Sequence, residues 1–157
     1  MTTEINEVAR LRAEIDAVHR REALALEYGQ RVQTALAANA IIGTWNWHPL
    51  RDRFTVDENF AHSFGVDPNL VHQDLTLDQV LATVHPEDRP GLDEAIEATV
   101  ARGGAYAHQY RVRRADGVYH WIEANGRVDF GPDGQPNSFP GILIDVEAKR
   151  SLEEERD

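Results

Sequence analysis

Two long alternating runs, Ala105–Arg114 and Val118–Phe130, flank the tripeptide Ala115-Asp116-Gly117. Strands of that length joined by so short a turn have to pair antiparallel, and Gly117 supplies the positive φ that the turn needs. The chain is therefore committed to an antiparallel sheet, and every other segment has to be placed around it. The sequence Gly131-Pro132-Asp133-Gly134 makes the next turn, and Phe139–Val146 supplies a third strand.

Upstream, the stretch Gly43–His48 alternates and puts Trp45 and Trp47 on one face. A turn over Pro49–Asp52 and a second strand over Arg53–Val56 complete a hairpin. Helical signals fill the space between the two groups of strands. Asp57 suits the N-cap of a short helix that carries Phe60 and Phe64 and stops at Gly65. Thr76 and Gln79 form a capping box ahead of Val80, Leu81 and Val84. The run His85-Pro86-Glu87-Asp88 breaks that helix, and Asp88 can cap the next, over 90–102, which Gly103 and Gly104 end. Strand pair, helical block, three strands: this order predicts an α+β fold, a five-stranded antiparallel sheet with helices on one face. The run 118–130 carries large apolar groups on both faces, so its second face needs a cover as well, from the N-terminal arm or a second subunit.

Residues 3–38 contain no proline and only Gly29 as a strong breaker, which predicts one long helix ahead of the sheet domain. Val8, Leu11, Ile15, Val18, Ala25, Val32 and Leu36 follow alternating three- and four-residue steps, with Glu22 and Gly29 as poor positions in the series. So narrow a stripe needs a partner. One is the helix's own domain and another is a second copy of the chain, giving a homodimer. The two combine if the early part pairs and the later part packs. Three parts follow: a helix over 1–38, a mixed domain over 39–147, and a charged helical start over 148–157 that reads as the beginning of a further segment.

The formal net charge of −11 argues against binding nucleic acid or an anionic membrane, since the only dense cationic run is Arg111–Arg114. There are no cysteines, which removes disulfides, thiolate metal sites and thiol nucleophiles. The first residues lack the apolar core of a signal peptide and no apolar run approaches membrane-spanning length, so a cytoplasmic location is expected. None of the seven histidines pairs at short helical spacing beside a carboxylate, so no metal site is expected. No nucleophile elbow, phosphate loop or zinc-protease motif appears either, and no catalysis is expected.

The motif series resembles the PAS family, in the PAS/PAC form common in bacterial sensor histidine kinases. The resemblance rests on Gly43-x-Trp45-x-Trp47, Phe64–Pro68, His85–Arg89, Tyr110–Trp121 and Gly141–Asp145, in order over roughly 105 residues. It implies a sensory or relay module of a two-component protein that acts on a downstream signalling domain, with any small apolar ligand held between the sheet and the helical block. The alternative is a ligand-free structural dimerisation or interaction domain whose core is filled by its own side chains. Tyr106, His108 and Tyr110 are the candidate lining, with His108 the polar member or else a part-exposed residue on a strand end. The covalent photochemistry of this superfamily needs cysteine and is excluded. Haem ligands in the family usually come from the long helix or the turn before it, and the helix 90–102 has no histidine. Neither haem nor non-covalent flavin is expected, and His85 is read as part of a polar capping turn. The sequence departs from the family at His48, where Asp is frequent, and at the exit, where Asp145-Val146-Glu147 replaces Asp-hydrophobic-Thr. Asp145 and Glu147 mark where a signal would leave, and the second departure weakens the case for a detailed side-chain latch there.

Overall fold

The computed structural model describes residues 2–147, so the expected exit segment 148–157 lies outside the described residues. A long helix, α1 (Thr2–Ala37), leads into β1 (Ile41–His48) and β2 (Arg53–Val56). The helices α2 (Glu58–Phe64), α3 (Leu77–Leu81) and α4 (Arg89–Arg102) follow, with a 3-10 turn at Pro68–Leu70. Strands β3 (Gly104–Arg113), β4 (Tyr119–Phe130) and β5 (Pro136–Asp145) close the domain. All neighbouring strands are antiparallel, in the spatial order β2-β1-β5-β4-β3. The expected α+β architecture is the observed one.

Side-chain alternation delivers one apolar face. Trp45, Trp47, Tyr106, Tyr110, Phe139 and Leu143 meet Phe60, Phe64, Val80 and Leu92 from the helices in a single core. The rings of Phe60 and Phe64 stack with centres 4.8 Å apart, and Tyr106 meets Phe139 edge-on at 5.2 Å. A side chain at Gly141 would run into the Trp45 ring, so only glycine leaves room for that indole against β5.

Local capping works as the residues suggest at two helices. Asp57 accepts from the Phe60 amide at 2.7 Å and also from the Thr44 hydroxyl at 2.9 Å, tying α2 to β1. Thr76 and Gln79 form the reciprocal capping box at α3. That helix ends at Leu81, so Val84 is not on it. Instead the chain over 83–85 pairs with the edge of β3: Val84 bridges Val112, and the His85 amide donates to the Arg111 carbonyl at 2.9 Å.

Asp88 corrects a second expectation. It occupies the N-cap position of α4 but makes no side-chain capping bond. Its carboxylate turns to Arg111, accepting from the backbone amide and Nε at 2.9 Å each and from Nη2 at 2.8 Å. Three donors from one cationic residue outweigh a single cap bond from a backbone amide, and here they win. The guanidinium also lies 5.2 Å from the centre of the Trp121 ring.

The face of the sheet opposite the core is partly covered by α1, which packs on β3 and β4. Ala35 is buried, Tyr28 and Val32 are half-buried, and the Arg127 guanidinium sits 5.9 Å from the Tyr28 ring centre. The expected single seam is therefore two stripes. Val32 belongs with Tyr28 and Ala35 on the side turned to its own sheet. Val8, Leu11, Ile15, Val18 and Leu36 remain exposed, while the side chain of Ala25 lies outside the described residues. A heptad count treats the helix alone and does not register a sheet beneath one side of it.

Two outcomes follow for stability. Leu143→Ala, at a fully buried position on β5, is expected to cost about 2–5 kcal/mol in denaturant unfolding. The Arg111 hydrogen bonds hold the Asp88 carboxyl below its ordinary 3.8. Its contribution is thus complete above pH 3.8 and is lost as the pH falls through the lowered value. Asp88→Asn is expected to lower the unfolding midpoint at pH 7 and to shrink the loss of stability between pH 4 and 2, both read by thermal unfolding across pH.

Candidate functional site

The sheet and the helical block enclose a cavity of about 30 Å³. Trp45, Phe60, Ile96, Tyr106, Tyr110 and Leu143 are among its walls. Tyr106 and Tyr110 thus stand where a ligand-lining role would put them. His108 does not line the cavity. It is half-buried on β3, the edge strand, with its ring 6.0 Å from that of Tyr110. Alternation puts it on the tyrosines' face but does not set its depth, and at an edge strand that face runs out toward solvent. Burial pushes both tyrosine hydroxyls well above their ordinary 10, so they stay protonated and neutral.

The cavity volume is that of about one water molecule, against about 300–1,000 Å³ for small-molecule pockets. The core's own aromatic side chains take up the rest of the space.

A second arrangement lies where β5 ends. The Asp145 amide donates to the Ala40 carbonyl at 3.1 Å, and the Ala40 amide donates to Ala35 at 2.9 Å. The departing backbone is thereby pinned to the junction between α1 and β1. Val146 is buried, and the Asp145 carboxylate accepts from the Glu147 amide at 3.0 Å. Glu147 Oε1 lies 2.9 Å from His120 Nδ1, while His120 Nε2 lies 2.9 Å from Asp116 Oδ2. One imidazole thus bridges the β3–β4 turn and the exit, so Glu147, in place of the family's threonine, does hold a side-chain contact. The Asp116 hydrogen bond, followed by that from Glu147, raises the ring's pKa above its ordinary 6.5 against the opposing effects of burial and Arg114.

Neither His120 nor Asp116 stands out in the sequence as a site. Asp116 reads as turn chemistry, which it also performs by accepting from the Val118 amide at 2.9 Å. The four-residue step from Asp116 to His120 is the one local signal available. Glu147 joins them only through the β4–β5 register, which places Ile122 opposite Asp145. His85 accepts from the Glu87 amide at 3.1 Å, as a capping-turn residue would, and its ring packs 4.6 Å from that of Tyr119, outside the cavity walls. Among the described residues no group of three or more histidines and carboxylates is arranged to hold a metal ion. Among them, too, no helix is long and apolar enough to cross a membrane.

Comparison with known proteins agrees with this architecture. Residues 53–143, more than half the chain, match the family model described as PAS fold. A sensory box histidine kinase/response regulator from Burkholderia thailandensis superposes with a TM-score of 0.63 at 25% identity, over 79% of this chain and 90% of that one. The sensor protein FixL of Bradyrhizobium diazoefficiens is 26% identical over 81 residues, 52% of this chain and 16% of the relative. A blue-light-activated histidine kinase of Brucella anthropi is 23% identical over 117 residues, 74% of this chain and 23% of the relative. The chain therefore spans less than a quarter of the length of these curated relatives. The core with its five antiparallel strands, the helical block on one face and the family match over residues 53–143 agree: the chain belongs to the PAS family and is a PAS sensory domain similar to those of sensor histidine kinases.

Proposed function

We propose that this chain is a non-catalytic relay module of a two-component signalling protein, pairing with a second copy through α1 and passing a change in that pairing to the segment beyond Glu147. The observation that carries the reading is the free apolar stripe on α1. Ile5, Val8, Leu11, Ile15, Val18, Leu26 and Leu36 are 45% to 69% exposed on a helix that is already docked on its own sheet. At 3.6 residues per turn this stripe lies about a third of a turn from the face that carries Tyr28, Val32 and Ala35. The helix can therefore hold its own domain and a partner at once.

Charge selects the occupant. Glu7 and Glu14 flank the stripe on one side, with Arg12 and His19 on the other. Two parallel copies in register set Glu7 against Arg12 of the partner subunit, an attractive pair. The backbone pin from Asp145 to Ala40 then supports a route from the helix to the exit. The likeness to two kinases and a sensor protein supports a histidine kinase as the output.

The size of the cavity favours a particular form of this reading, in which the core is filled by its own side chains and input arrives through the helices. A small apolar ligand would have to displace core residues to be accommodated.

In sedimentation velocity the chain is expected to be a dimer at micromolar concentration. Leu11→Glu with Ile15→Glu is expected to give a monomer with an unchanged core unfolding midpoint, since both positions are exposed on the single chain. A wild-type chain that stays monomeric at tens of micromolar, or a double variant that stays dimeric, would sink the proposal.

A further inference from the structure

The imidazole of His120 faces a carboxylate at each nitrogen, Glu147 at Nδ1 and Asp116 at Nε2, both at 2.9 Å. A neutral imidazole carries one N–H and one lone pair. It can donate to one carboxylate only, and its lone pair then points at the other. The arrangement is satisfied on both sides only when both nitrogens carry protons. We infer that His120 is a proton-operated latch on the exit: protonated, it ties Glu147 to the β3–β4 turn, and on losing its proton it lets go of one carboxylate and frees Glu147, just beyond β5. The inference rests on the relay reading for its meaning, since it adds a second input, the proton, at the point where the signal would leave.

The charged groups around the ring agree with this assignment. Asp116 comes from the turn, Glu147 from beyond β5, and Arg114 from just after β3 as the single opposing cation among those acting on it. Its side chain is 18% exposed, so solvent reaches the ring while its position stays fixed. Asp116 is independently held by the Val118 amide, so one end of the bridge is anchored in the turn. Among the described residues Glu147 has no comparable anchor. Its amide bonds Asp145, but its carboxylate is held through His120. Release therefore acts on the exit and not on the turn. Because the ring's pKa is raised, the latch is complete below pH 6.5 and is lost as the pH rises through the raised value.

The test is NMR on the full chain, following the His120 ring through a pH titration and the amide exchange of Val146 and Glu147 beside it. The ring is expected to titrate above 6.5, and Glu147→Gln and Asp116→Asn are each expected to lower its midpoint. Exchange protection at the exit, corrected for the intrinsic pH dependence, is expected to fall by about three- to tenfold across that midpoint. His120→Gln is expected to remove the step. A ring midpoint at or below 6.5, a midpoint indifferent to Glu147→Gln, or exit protection that is flat with pH would each overturn the latch. A monomeric chain with the titration intact would instead overturn the pairing of α1 and leave the latch standing.

Discussion

The pairing of β1 with β5 is the contact on which the rest of this structure depends. It sets Trp45 opposite Gly141 and Trp47 opposite Phe139, joining strands from the two ends of the domain. Without it the β1–β2 hairpin would be an isolated two-stranded ribbon, which is marginal in water. With it, one sheet presents a continuous aromatic face on which the helices can pack. The contact is non-local and carries the largest loop-closure cost in the fold, so it has to be well rewarded. The reward is the Trp45 indole, which lies against Phe54, Phe60 and Phe139 with ring centres 6.2–6.5 Å away. Gly141 makes the room for it. The same pairing sets Ile41 opposite Ile144, so the chain joins and leaves the sheet domain at neighbouring points.

That adjacency gives α1 its significance. A helix tethered only by its end could swing without consequence for the domain. Here Tyr28, Val32 and Ala35 lie on the side turned to β3 and β4, and the Ala35–Ala40 segment is bonded to the start of the exit. Displacing the helix must therefore strain either the outer sheet contact or the Asp145–Ala40 bond. The free stripe on the adjacent side can act on that system from outside, because no described residue of the single chain covers it.

Much of the fold is legible in the sequence because its determinants are local. The turn at Asp116-Gly117, the cap at Asp57 and the box at Thr76 and Gln79 each bond within a few residues of themselves. The rest turns on positions where a local signal meets a distant partner. Asp88 has the chemistry of a cap, but Arg111 offers it three donors from across the domain. His108 has the alternation of a lining residue, but its depth depends on which strand ends up at the sheet edge. The α1 seam is continuous as a pattern and divided as a structure, because the face of a helix that meets a sheet is fixed by tertiary packing. For the site the balance is less favourable. Tyr106 and Tyr110 follow from strand periodicity, whereas the His120 bridge needs the β4–β5 register, and no pattern in a single segment specifies it.

The exit is held by two bonds of different character. The bond from the Asp145 amide to Ala40 joins backbone to backbone, contains no titratable group, and reports the position of α1. The bridge from Glu147 through His120 to Asp116 is ionic, contains a group whose ordinary pKa lies near neutrality, and reports the proton. They act on residues two apart, so each changes what the other has to restrain. On the proposed relay, a released Glu147 would leave α1 coupled to the exit through a single point, and a closed latch would couple it through the turn as well. The cavity, with room for about one water, lies away from both. The physical levers in this domain thus sit at its two chain ends, where a helix and a histidine meet the same few residues, and the aromatic interior serves as the rigid body between them.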